Sequence, residues 1–106
     1  MNDQELAERV VALGVIEWCP RIPDLLRLRN EPSIYWTPHD AVRDPRVAMA
    51  LMEKCDNYDC WRIQKIHAKW HVGRIIDYDE QCDCNATNES LPRAIVEACV
   101  SALEGE

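Results

Sequence analysis

Five of the chain's six prolines, Pro20, Pro23, Pro32, Pro38 and Pro45, fall within one stretch, and this clustering constrains the fold more than any other feature. Each proline fixes its own φ, lacks a backbone donor and biases the preceding residue away from helix. Residues 20–44 are therefore expected to be mostly irregular, with short strands at most at Asp24–Arg29 and Ser33–Trp36. A connection of that length inside a small domain is unusual, and long loops are either functional or poorly ordered. Regular structure has to be built on either side of it.

On the N-terminal side, Asn2 with Glu5 has the spacing of a capping box. Leu6, Val10 and Leu13 recur at helical spacing, and Gly14 suits the left-handed residue that ends a helix. Val15–Cys19 reads as a short strand stopped by Pro20. On the C-terminal side, Asp44-Pro45-Arg46 is a helix start, with a capping side chain and then a proline where a missing N–H costs nothing. Val47, Ala48, Leu51, Met52 and Cys55 make its apolar stripe. Cys60–Ile66 and Trp70–Tyr78 alternate as strands around a turn at His67-Ala68-Lys69, which lacks the Gly or Asn favoured in hairpins. Cys82–Ala86 suits a third strand. Ser90 caps a last helix with Leu91, Ile95, Cys99 and Leu103 along one face. The fold class is α+β: a small antiparallel sheet of three to four strands packed with three helices in a sandwich. In this reading Trp61 points inward, so that Trp61→Ala costs about 3–5 kcal/mol, and Trp36→Ala far less.

At 106 residues the chain suits one domain, residues 1–106, with one core. Nineteen acidic against twelve basic residues give a net charge of −7, which opposes nucleic-acid binding, since such binding relies on Lys and Arg releasing counterions from phosphates. A basic protein partner suits the charge better. The acidic start Met1-Asn2-Asp3-Gln4-Glu5 is unlike a signal peptide, and no apolar run is long enough to span a membrane. A cytoplasmic chain is expected, with its six cysteines as free thiols.

The order of three segments resembles the phage ABA-sandwich domain, a family of small bacteriophage proteins. The segments are the opening helix Glu5-Leu6-Ala7-Glu8-Arg9-Val10 leading to Trp18, the capped helix Asp44 to Lys54, and the closing helix Ser90-Leu91-Pro92-Arg93-Ala94-Ile95-Val96-Glu97-Ala98-Cys99-Val100. Trp61 and Trp70 fall where that family places its hairpin tryptophans, and residues 20–38 match least. The resemblance implies a phage or prophage origin and a helix–sheet sandwich. It implies no established activity and carries over no functional residues.

Several constellations have chemistry to offer. Cys55 with Cys60, and Cys82 with Cys84, near His67 and His71, have no standard zinc spacing and read as small buried hydrophobes. No signature marks a catalytic cysteine, so no catalytic residue, metal or cofactor is assigned. Asp77, Asp79, Glu80 and Asp83 form an acidic patch without EF-hand spacing. Arg62, Lys65, Lys69 and Arg74 with Trp61 and Trp70 are the one basic–aromatic cluster, either a stacking platform or, with the tryptophans inward, core. Tyr35 and Trp36 either anchor a protein interface or cover a sheet edge. Taking the first alternative, Arg27, Arg29, Tyr35, Trp36 and His39 are the candidate binding residues.

The expected function is that of a non-enzymatic phage accessory protein that binds and inhibits a host protein of antiviral defence. The alternatives are a protein that sequesters a nucleotide signal, as a homo-oligomer gripping it between subunits, and a minor virion component.

Overall fold

The computed structural model of the chain describes residues 2–31, 33–55, 60–76 and 81–104, with the backbone alone at 60, 74–76 and 81–85. Its elements run α1 (Asp3–Ala12), β1 (Ile16–Trp18), β2 (Leu26–Leu28), α2 (Pro38–Ala41), α3 (Pro45–Lys54), β3 (Cys60–Ile66), β4 (Lys69–Ile76), β5 (Gln81–Asn88) and α4 (Leu91–Glu104). The architecture is α+β, with two small antiparallel sheets in the orders β1-β2 and β3-β4-β5.

The caps form as the sequence dictates. Asn2 Oδ1 accepts the Glu5 N–H at 2.8 Å, and Asp44 Oδ1 accepts that of Arg46 at 2.8 Å. Ser90 Oγ accepts the Arg93 N–H at 3.4 Å. Gly14, at φ +82°, closes α1 in a conformation that costs other residues strain.

The proline-rich stretch is more ordered than its composition suggests. β1 and β2 pair with Ile16 opposite Leu28, Glu17 opposite Arg27 and Trp18 opposite Leu26. The expected strand at Ser33–Trp36 reduces to one bridge, in which the Leu26 and Trp36 backbones exchange N–H···O bonds of 2.7 and 2.8 Å. Pro38 opens the one-turn helix α2, unanticipated from sequence, behind a Thr37 cap. A proline ends helices from within but suits their first turn.

In the larger sheet, β3 pairs with β4 through Ile63 opposite Val72, and β4 with β5 through Val72 opposite Ala86. α4 packs on β4 and β5, and α3 and α1 pack on α4 in turn. That position explains why α4 is buried nearly all round, from Ala94, Ile95 and Val96 through Ala98, Cys99, Val100 and Ala102, rather than along one stripe. One apolar core joins Leu6 and Val10 of α1, Leu26 of β2, Val47 and Leu51 of α3, and Val72 of β4 to this helix.

The two central strands do not face inward along their whole length. Val72 is 1% exposed, but Ile63 is 41% exposed, and Trp61 only packs partly against the core. The reason is geometric: α4 covers β4 and β5, and β3 lies beyond its edge.

The β3–β4 turn is made by His67 at φ 51° and Ala68 at φ 63°. Two positive φ values in a two-residue connection make it a type I′ turn, where Asn-Gly is favoured and each ordinary L-residue is strained. The double substitution His67→Asn, Ala68→Gly is expected to raise stability by about 1–2 kcal/mol, read as a rise in urea midpoint at unchanged slope.

Candidate functional site

The register of β1 and β2 decides what the irregular segment shows to its surroundings. Ile16, Leu26 and Leu28 turn inward and are buried, so Glu17 and Arg27 turn out. The Leu26–Trp36 bridge extends the alternation by one step: Trp36 goes in at 8% exposure and Tyr35 goes out at 45%. Trp36 is thus a core residue and no exposed anchor, which corrects its place among the candidate binding residues.

Arg27, Arg29 and Tyr35 do come together. Arg27 Nη2 lies 3.3 Å from Glu17 Oε2, and Arg29 Nε lies 3.9 Å from Glu17 Oε1. Burial disfavours the Arg27 charge, yet the Glu17 carboxylate, with Cys19 and a hydrogen bond to Tyr35, more than offsets this and holds the guanidinium protonated. Arg27 Nε is shielded from solvent without a hydrogen-bond partner. Glu17 was not among the residues picked from sequence. Its alternation with Ile16 and Trp18 could have placed it on the outer face.

His39 belongs to a separate cluster around Asp3. Its Nδ1 is 2.9 Å from Asp3 Oδ2, which Arg43 Nη1 also reaches at 2.8 Å. Arg93 Nε bonds Asp3 Oδ1 at 2.8 Å, and Arg93 Nη1 bonds Glu97 Oε1 at 2.6 Å. Desolvation would raise the Asp3 pKa, but hydrogen bonds from Arg93, Arg43 and His39 outweigh it and hold the carboxyl well below the usual range. Arg93 is only 5% exposed. Each cation has a carboxylate within reach, so the cluster reads as an ionic clasp joining α1, α2 and α4. The sequence signal was available: Arg93 is the single basic residue of α4, four positions before Glu97.

Beside the β1–β2 face runs a groove of about 430 Å³ between the chain leaving β2 and the exposed side of α3. Leu28, Met49 and Ala50 supply its apolar lining, and Glu31, Glu53 and Arg46 its charged lining. A smaller recess of about 200 Å³ shares Leu28, Ala50 and Glu53 and continues toward Gly14 and Lys54. Met49 is 58% exposed, the most exposed large hydrophobic residue described. The apolar stripe of α3 fills the core from the opposite side, so Met49 has no structural task in burial.

The basic–aromatic cluster splits between two faces. Pairing places Trp61, Lys65 and Trp70 on the helix side of the sheet, and Arg62 and Lys69 on the other. Lys65 Nζ stands 5.6 Å from the Trp70 ring centroid, a cation–π contact. Cys19, Cys55 and Cys99 are buried. Burial, with Cys55 alongside, pushes the Cys99 thiol far above its ordinary pKa, which makes it a poor nucleophile. His71 Nδ1 lies 3.2 Å from Thr87 Oγ1. The side chains of Cys60, Cys82, Cys84, Arg74 and Asp83, and the whole of Asp77, Asp79 and Glu80, lie outside the described residues, so the acidic patch and the cysteine pairs do too. Among the described residues no three His, Cys, Asp or Glu side chains gather as metal ligands, and no helix is long and apolar enough to cross a membrane. Comparison with protein-family models, curated proteins and solved structures finds no match to this chain.

Proposed function

We propose that this chain acts by binding a protein through the groove between β2 and α3, without catalysis. The observation that carries this reading is Met49, 58% exposed in a groove that Leu28, Ala50, Glu31 and Glu53 also line. Exposed apolar side chains grouped in a depression are the usual anchors of interfaces. Two carboxylates against the one guanidinium of Arg46 in the lining, with a net charge of −7, favour a partner segment that combines an apolar side chain with Lys or Arg. Arg27, Arg29 and Tyr35 extend the surface along the outer face of the small sheet.

The biological setting follows from the order of the three sequence segments that resemble the phage ABA-sandwich domain. In that setting the chain is a phage accessory protein in the host cytoplasm, and its partner is a host protein of antiviral defence whose activity it blocks.

The test is a quantitative pull-down from bacterial host lysate with three baits: the wild-type chain, Met49→Lys, and the double variant Glu31→Lys, Glu53→Lys. A partner retained by the wild type is expected to fall on the order of tenfold or more with either variant. All three positions are exposed, so the variants should melt as the wild type does. Repeated recovery of no specific partner, or a partner held equally by all three baits, would refute the reading.

A further inference from the structure

Independently of the groove, we infer that β3 is a homodimerisation edge, pairing antiparallel with β3 of a second copy to make one continuous six-stranded sheet. β3 is the terminal strand of the order β3-β4-β5, and among the described elements only β4 packs extensively against it. It runs seven residues, Cys60–Ile66, without proline, and the sheet's one register irregularity lies between β4 and β5. Natural edge strands are blunted by shortness, proline, a bulge or charged side chains; of these β3 carries only the charges of Arg62 and Lys65, and an edge so lightly guarded is a template for a strand that accommodates them.

The side chains along β3 point to the same conclusion. Trp61 and Ile63 belong to the face that α4 covers over β4 and β5, yet β3 extends past the helix and leaves Ile63 41% exposed. Ile66, at the strand's end, is 45% exposed. A second copy placed edge to edge would bring its own Trp61 and Ile63 against Trp61 and Ile63 of the first, in the gap between the two α4 helices, and would cover Ile66 on the opposite face.

The sequence of β3 selects a second copy over a foreign strand, because it complements itself. A two-fold axis normal to the sheet keeps each face on its own side, so the axis must pass through a residue. An axis at Cys60, Trp61 or Ile66 would overlap three residues of β3 or fewer, one at Arg62 or Lys65 would set like charges opposite each other, and one at Gln64 would set Ile63 against Lys65. An axis at Ile63 sets Ile63 opposite Ile63, Trp61 opposite Lys65, and Arg62 opposite Gln64. That register gives an apolar pair on the axis, a cation–π pair on each side of it and no like charges directly opposite each other. Lys65 stands over Trp70 on the β4 side of its own chain, so the pair across the axis forms by its head turning from Trp70 to the second copy's Trp61 on the same face.

Sedimentation equilibrium of the full chain at roughly 10⁻⁴ M, where a dimer with Kd of about 10⁻⁵ M is well populated, is expected to report twice the chain mass. Ile63→Lys and Ile63→Glu should each sediment as monomers with an unchanged circular dichroism spectrum. An equimolar mixture of the two should regain the dimer mass, since position 63 faces itself across the axis. Hydrogen exchange on the wild type supplies a readout that needs no variant: β3 amides should exchange faster on dilution, and β4 amides should not. A monomeric wild type, a dimer indifferent to either substitution, a mixture that stays monomeric, or β3 exchange independent of concentration would each overturn the inference.

Discussion

Replacing Trp36 with alanine is expected to cost about 3–5 kcal/mol of folding free energy, a large part of the roughly 5–15 kcal/mol that a domain typically has. The indole is 8% exposed and sits in the same buried cluster as Leu26, Val42 and Leu51. Its backbone N–H and C=O are both bonded to Leu26, at 2.8 and 2.7 Å, which resists collapse of the segment into the space left by the ring. A residual cavity adds to the lost transfer energy, which is why large-to-small changes at pinned positions lie at the upper end of their range. Tyr35→Ala, one residue earlier and facing outward, should cost less than about 1 kcal/mol. Trp61→Ala should fall between them at about 1–3 kcal/mol, since Trp61 is only partly covered. Urea unfolding of the three variants gives the ranking directly. If Trp61→Ala costs more than Trp36→Ala, the placement of Trp36 in the core is wrong.

That ranking reverses the one expected from sequence, and the reversal shows where the sequence is informative. Elements held by local chemistry were legible. Asn2, Asp44 and Ser90 each cap the helix they precede, Gly14 takes a positive φ, and the β3–β4 hairpin turns at His67-Ala68 even without its preferred residues. Alternation identified β3 and β4 as strands because alternation is a property of a single strand. Coverage is a property of the assembled layers, and no pattern within residues 60–76 says that α4 will lie over β4 and β5 and stop short of β3. Trp61 therefore alternates like a core residue and ends half-covered. Trp36 lies among prolines and ends buried, because one backbone bridge to Leu26 fixes which way it faces. The candidate site was legible in part for the same reason. Arg27, Arg29 and Tyr35 were picked by residue type and do share a surface. His39 was drawn away by Asp3, a partner 36 residues distant. The groove was not legible, since it forms only when the exit of β2 meets α3.

The second large effect is expected at Arg93. Its side chain is nearly enclosed and holds two carboxylates, Asp3 at 2.8 Å and Glu97 at 2.6 Å. Arg93→Ala leaves Glu97 without the cation it now bonds and Asp3 dependent on Arg43 and His39, both more exposed than Arg93. Breaking a buried ion pair from one side typically costs about 3–5 kcal/mol, and a loss near the lower end fits carboxylates that keep some contact with water. Asp3→Asn should cost less, about 2 kcal/mol, because one side of the clasp is partly solvated. The two variants also separate by pH. Asp3 has its folded pKa depressed, so its contribution is complete above the unfolded value of about 3.9 and is lost as pH falls from there toward the folded value. Wild-type stability should therefore drop as the medium is acidified below about pH 4, and the gap between wild type and Asp3→Asn should close over that interval. Above about pH 5 the gap should be flat. A series of urea unfolding curves from neutral to acid pH measures both. A wild-type minus Asp3→Asn difference that stays constant through the acid range would show that the Asp3 charge does not hold α1 to α4. The clasp would then be packing alone, and Arg93→Met, which keeps the stem and removes the charge, would be as stable as the wild type.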